Sequence, residues 1–178
     1  VVLAESGLAN LTSHAGARGP WQFMEETAKQ YGLTVNRDVD ERYHMRKSTL
    51  AACRYFKDAY RKFNNWTMVA ASYNMGITGL RRNVKRQHSI SYYDLLLNVE
   101  TNRYVFRILA IKAIFENPAA YGFHIREKDL YPEIPVKTVE VDTSISNLYN
   151  FARDQKVPYR MFKALNPWLR SNKLDVKR

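Results

Sequence analysis

Apolar positions along this chain recur at spacings of three and four far more often than they alternate, which predicts a mainly α protein. The clearest helix runs from Ser48 to Phe63, where Leu50, Cys53, Phe56, Tyr60 and Phe63 form one stripe and Asn64-Asn65 end it. That stripe makes Cys53 a buried packing residue rather than a nucleophile. A second, more apolar helix is expected from Trp66 to Asn74, with Ala70 and Ala71 small enough for close packing. Gly76 and Gly79 break it, and a basic helix resumes from Leu80 to Gln87. Ser91 with Asp94 fits a capping box that opens a short helix through Leu97. Thr101 to Asn117 is long and apolar, and Pro118 stops it.

The two ends differ from this middle. Val1 to Leu8 reads as the last turns of a buried helix, and Thr12 to Gly19 as a loop. Within that loop His14 is an exposed histidine with no metal or triad spacing around it. Glu25 to Tyr31 is helical, with acids in its first turn and Gly32 as its stop, and Thr34 to Tyr43 is irregular and charged. After Gly122 the composition shifts: 123–135 reads as a linker, and Val136 to Asp142 alternates near its end and predicts one strand. Short helices from Ser146 to Asp154 and Tyr159 to Leu165 follow, closed by Asn166-Pro167-Trp168-Leu169. The expected architecture is a helical domain over 1–122, a linker, and a small strand-helix-helix appendage over 136–178. The chain starts at Val1 without a Met, so the first helix is expected to continue forward in a longer protein.

Composition narrows the partners. At 178 residues and 46% apolar the chain can build one full core, and a formal net charge of +11 favours anionic partners. A lone cysteine excludes an intrachain disulfide, and no apolar run is long enough to span a bilayer. No zinc spacing, phosphate loop or dinucleotide fingerprint occurs, so neither metal nor organic cofactor is expected. Arg81, Arg82, Lys85 and Arg86 form the densest basic cluster. It could face the carboxylates of a wall polymer, but a solvated helix face is the commoner outcome.

The candidate chemistry centres on Glu5. An acid that closes an apolar turn, with Trp21 and Gln22 looped back toward it, can be covered enough to hold its proton near neutral pH. A lone Glu near a helix end is more often a solvated residue, and the motifs around it change that balance. Glu5-Ser6, Gly19-Pro20-Trp21-Gln22, Ala71-Ser72-Tyr73-Asn74-Met75-Gly76 and Glu100-Thr101-Asn102-Arg103-Tyr104 occur in that order. These four motifs resemble the E-S, G-x-x-Q, A-x-Y-N-x-G and E-T-x-x-Y signatures of the soluble-lytic-transglycosylase family, on a goose-lysozyme-like helical fold. The resemblance covers about residues 1–122. Pro20 stands where the family usually has Leu, which stiffens the loop and removes an N–H.

The resemblance implies cleavage of the bond between N-acetylmuramic acid and N-acetylglucosamine in peptidoglycan without water. Glu5 would act as acid and then as base, leaving 1,6-anhydromuramyl ends. Ser6 would orient Glu5 or bind an acetamido group; Gln22 and Tyr73 would hydrogen-bond the sugar or the acid. Asn74 would hold the loop beside them, Glu100 would hold the geometry, and Tyr104 would line the groove. Trp21 reads equally as a sugar platform or as core. The partner implied is the peptidoglycan strand, the place the bacterial envelope, periplasmic or outer-membrane associated, and the state a monomer; a membrane would be reached only through a segment outside this sequence. The final strand and helices are similar to the segment following the catalytic domain in such relatives. They also resemble a LysM sugar-binding module that is one strand short, so a packing appendage is the favoured reading.

Three rivals remain open on the residues. A hydrolase would need Asp38, Asp40 or Glu100 to activate water. Asp38 and Asp40 read as solvated, and Glu100 as a helix-heading acid that caps or binds backbone. A glycan-binding module without chemistry would be free to lose Glu5. A nucleic-acid binder fits the charge but lacks a recognisable motif or basic arm, and none is expected as a partner.

Overall fold

The computed structural model describes residues 1–176 and is mainly helical. Its α-helices are α1 (Val2–Ser6), α2 (Glu25–Gln30), α3 (Met45–Phe63), α4 (Trp66–Met75), α5 (Ile77–Gln87), α6 (Val99–Glu116), α7 (Leu148–Asp154) and α8 (Tyr159–Leu165). α4 is the hub, packed against α3, α5 and α6, and α1 lies against α6. Asn65 starts α4 by accepting from the Met68 N–H, and Asn98 starts α6 by accepting from the Thr101 N–H.

The buried face of α3 is not the expected stripe. Ser48, Ala51, Ala52, Tyr55 and Ala59 face inward, while Leu50 and Cys53 are exposed and Phe56, Tyr60 and Phe63 are half-buried. Moving from Leu50 to Ala51 turns the helix by about 100°. The small side chains win because Ala51, Ala52 and Ala59, none with exposed surface, pack in one cluster with Val69 of α4 and the large side chains of Trp21, Tyr31 and Leu33. Large residues there would hold the two helices apart. Cys53 is therefore a surface residue, not core.

Three further local expectations change. Gly79 lies inside α5, which starts at Ile77 directly after Gly76, whose φ of 81° makes the joint. The segment after Ser91 is a single 3₁₀ turn, Tyr92–Asp94, and Ser91 makes no side-chain cap. The Tyr92 hydroxyl instead anchors this segment to the Thr101 and Asn102 carbonyls of α6, at 2.9 and 2.7 Å. Residues 136–142 form no strand, because no neighbouring backbone lies alongside to complete a ladder. The pairing falls later in the chain: Ile145 and Leu174 exchange both N–H···O bonds at 2.8 Å and flank α7 and α8 with one antiparallel pair.

This C-terminal unit rests on the irregular segment before α3. The Asp40 N–H donates to the Trp168 carbonyl at 2.9 Å and the Arg170 N–H to the Asp38 carbonyl at 2.7 Å. The Trp168 and His44 rings stack at 4.2 Å, and the Arg170 guanidinium lies 4.4 Å over the Tyr43 ring.

Candidate active site

Glu5 sits in the last turn of α1, which closes on Gly7 in the left-handed region at φ 61°. Its carboxylate accepts a hydrogen bond from the Tyr104 hydroxyl. Tyr104 is buried in α6, so the acid is held by a side chain that cannot swing away. Burial pushes the Glu5 carboxyl above its ordinary range, and the Tyr104 hydrogen bond opposes part of that rise. Burial together with the charge of Glu5 pushes the Tyr104 phenol well up, so it remains a donor.

The loop that faces this acid is built around a close backbone crossing. A Cβ on Gly19 would lie 1.9 Å from the Arg42 carbonyl oxygen, so only glycine fits there. Gly19 donates its N–H to the Leu11 carbonyl, and Arg18 and Phe23 exchange N–H···O bonds of 3.0 and 3.2 Å. Gln22 is forced to φ 48°, and its amide donates to the Gly19 and Leu11 carbonyls at 2.8 and 3.2 Å. Pro20 is fully buried, and its carbonyl accepts from the Ser6 hydroxyl at 2.7 Å, which ties the helix of the acid to this loop.

Below the loop lies a buried electrostatic anchor. Arg42 binds Asp40 with two hydrogen bonds of 2.9 and 2.7 Å and reaches the Gly16 and Phe23 carbonyls at 3.3 Å. Asp40 is thus buried rather than solvated. Its burial favours the neutral acid, but the Arg42 guanidinium and N–H outweigh that and hold the carboxyl below its ordinary range. Asp38 is half-buried, so it too is less open to water than expected.

The sequence-predicted residues converge, though in different roles. Trp21 belongs to the core: it is buried, its Nε1–H donates to Thr49 Oγ1 at 2.8 Å, and its ring meets Phe56 and Tyr73 edge-on. The Tyr73 hydroxyl donates to the Trp21 carbonyl at 2.7 Å, and burial with the charge of Glu5 raises its pKa. Asn74 accepts from Thr101 Oγ1 at 2.8 Å, which joins the third motif to the fourth. Glu100 acts on Glu5 only through its charge: it is exposed on α6 and pairs with Arg107 at 3.3 Å, neither buried nor capping.

Of two supporting contacts, one has a signal legible in the sequence and the other has none. Thr101 precedes Tyr104 by three residues inside one motif, and both face inward because that spacing shares a helix face. The Asp40–Arg42 pair sits in a stretch that reads as a solvated charged loop, and only its burial sets it apart.

The chemistry available is therefore one partly covered acid with a raised pKa, a phenol donor on it, and a rigid polar loop opposite. Among the described residues no group of His, Cys, Asp and Glu could hold a metal ion.

Comparison with known proteins adds to this geometry. Residues 1–96, more than half of the chain, match the family described as Transglycosylase SLT domain. Residues 137–178 match the family described as Soluble lytic transglycosylase C-terminal LysM-like domain, in line with the LysM likeness of that segment. The chain is 32% identical over 123 residues to the membrane-bound lytic murein transglycosylase D of Escherichia coli K12, and equally to that of the O6:H1 strain. The match covers 66% of this chain and 27% of each relative, so the chain spans about a quarter of their length.

Proposed function

The chain belongs to the transglycosylase SLT domain family, and from that premise we propose that it cuts the glycan strands of peptidoglycan by intramolecular transfer rather than hydrolysis. The observation that carries this reading is the covered acid: Glu5, raised by burial and held by the buried Tyr104 hydroxyl.

The protonated Glu5 gives its proton to the oxygen bridging N-acetylmuramic acid and N-acetylglucosamine, and the C1–O bond breaks. The Glu5 carboxylate then takes the proton of the muramyl C6 hydroxyl, whose oxygen bonds to C1 and closes a 1,6-anhydro ring. Glu5 ends protonated, and no water is consumed. Tyr104 strengthens its hydrogen bond as charge develops on Glu5. Gln22, Tyr73 and Asn74 fix the facing loop and helix end, Ser6 links the acid to that loop, and Trp21 supports it from the core. Glu100, exposed with Arg107, is placed to meet sugar at the rim.

The same geometry disfavours Asp40 as a water-activating carboxylate, because it is locked onto Arg42, and Glu100 is paired with Arg107. In this reading 1–122 is the catalytic unit and 136–178 a LysM-like glycan-binding unit, and the protein works in the bacterial envelope. Among the described residues no helix is long and apolar enough to cross a membrane. Mass spectrometry of muropeptides released from purified peptidoglycan tests the proposal. Anhydromuramyl ends that vanish in Glu5→Gln support it, and reducing ends made by the unaltered chain overturn it.

A further inference from the structure

Away from Glu5, two clefts meet at the opposite end of α4. The first, of about 540 Å³, has Phe63, Met68 and Val84 as its floor, with Arg81, Arg82 and Lys85 on its wall. The second, of about 420 Å³, is walled by Asn64, Asn65, Ser91 and Tyr93, and shares Phe63 and Ile90 with the first. Thr78, Arg81, Arg82 and Lys85 lie three and four residues apart, so one face of α5 lines the cationic cleft. No carboxylate lines either cleft, and among the described residues none pairs with Arg81, Arg82 or Lys85. The exposed cations stand beside an apolar floor that a purely solvated face would lack. These cations are free to take an anion, and the adjoining amide, hydroxyl and aromatic groups suit a neutral polar neighbour.

We propose that these linked clefts are a second binding site for the wall polymer, in which Arg81, Arg82 and Lys85 take the carboxylates of a stem peptide. The site lies about seven residues up α4 from Tyr73, on the order of 10 Å along the helix axis from the residues around Glu5. It would hold the strand by its peptide while the glycan lies at the acid. This inference rests on the proposed substrate, but its test does not require cleavage.

The full chain carrying Glu5→Gln is titrated with a disaccharide-tetrapeptide muropeptide and with the same disaccharide lacking peptide, its lactyl carboxyl capped as a primary amide. The titration is repeated with Arg81→Gln, Arg82→Gln and Lys85→Gln added, and thermal melts check that the fold is retained. The expected result is about a tenfold loss of affinity for the peptide-bearing ligand, none for the peptide-free one, and weaker binding as salt rises. Equal affinity in both proteins overturns the proposal. So does an equal loss for both ligands, or a change seen only with vesicles of anionic phospholipid, which would mark a membrane-facing surface. If the melt falls, single Arg82→Gln and Lys85→Gln chains replace the triple variant and are judged by the same loss. Charge-dependent muropeptide binding without anhydro products from the unaltered chain would refute the chemistry and leave this site standing.

Discussion

Replacing Tyr104 by Phe removes one hydroxyl and keeps the buried ring, which isolates the contact on Glu5. In the proposed cycle Glu5 starts neutral and becomes a carboxylate as it gives up its proton. A hydrogen bond to a neutral group contributes about 1 kcal/mol net, and one to a charged group about 1.5–3 kcal/mol. The difference, roughly 0.5–2 kcal/mol, is realised only as charge develops, so kcat is expected to fall about 2- to 30-fold. The direction of the pH effect is set by the same bond. Tyr104 favours the charged form of Glu5 against the larger effect of burial, so its loss raises the Glu5 pKa further. The alkaline limb of the rate profile, where the acid loses its proton, must move to higher pH. Steady-state rates of anhydromuropeptide release across pH, for parent and Tyr104→Phe, measure both quantities. An alkaline limb that moves to lower pH, or an unchanged kcat, would refute the reasoning.

Other consequences follow from the same framework. Gly19→Ala places a methyl against the Arg42 carbonyl at φ 77°, and a loss of about 3 kcal/mol or more is expected in urea unfolding. Asp40→Asn leaves the Arg42 charge buried without its partner, with a cost of about 3–5 kcal/mol in the same assay. Because the folded Asp40 pKa is depressed, its contribution is full above the ordinary carboxylate range and fades as pH falls through the folded value. Glu5 has the opposite sign: its folded pKa is raised, so stability declines as pH rises from its ordinary value through the folded one. Glu5→Gln should therefore melt higher than the parent at neutral pH and no higher at pH about 4, as seen by circular dichroism. Thr101→Val removes the donor to Asn74 and is expected to cost about 1–2 kcal/mol of stability and to slow cleavage.

The long helices were legible because their stripes and stops are local. Asn65 and Asn98 cap where the pattern changes, and Pro118 follows the last residues of α6. The face of α3 was not, since a stripe of large side chains outweighs alanines in any reading of hydrophobicity. What favours Ala51, Ala52 and Ala59 is the space taken by Trp21, Tyr31, Leu33 and the Val69 of α4, a tertiary fact. The same holds for Val136–Asp142, whose alternation suits a strand but which lacks a partner, while Ile145 and Leu174 pair across two helices. At the site, Glu5 and Tyr104 were legible as motif members, yet their bond joins residues far apart in sequence. Asp40 and Arg42 stand two residues apart, and nothing short of their burial distinguishes that pair from the solvated charges around it.

The central claim is that one carboxylate breaks the strand without water. Digestion of purified peptidoglycan by the full chain in water enriched in oxygen-18, followed by mass spectrometry of the new muramyl ends, tests it most directly. Closure by the C6 oxygen predicts anhydro ends that carry no heavy oxygen. New reducing ends, beyond those present before digestion and in place of anhydro ends, would contradict the account, because forming them takes up a water at C1.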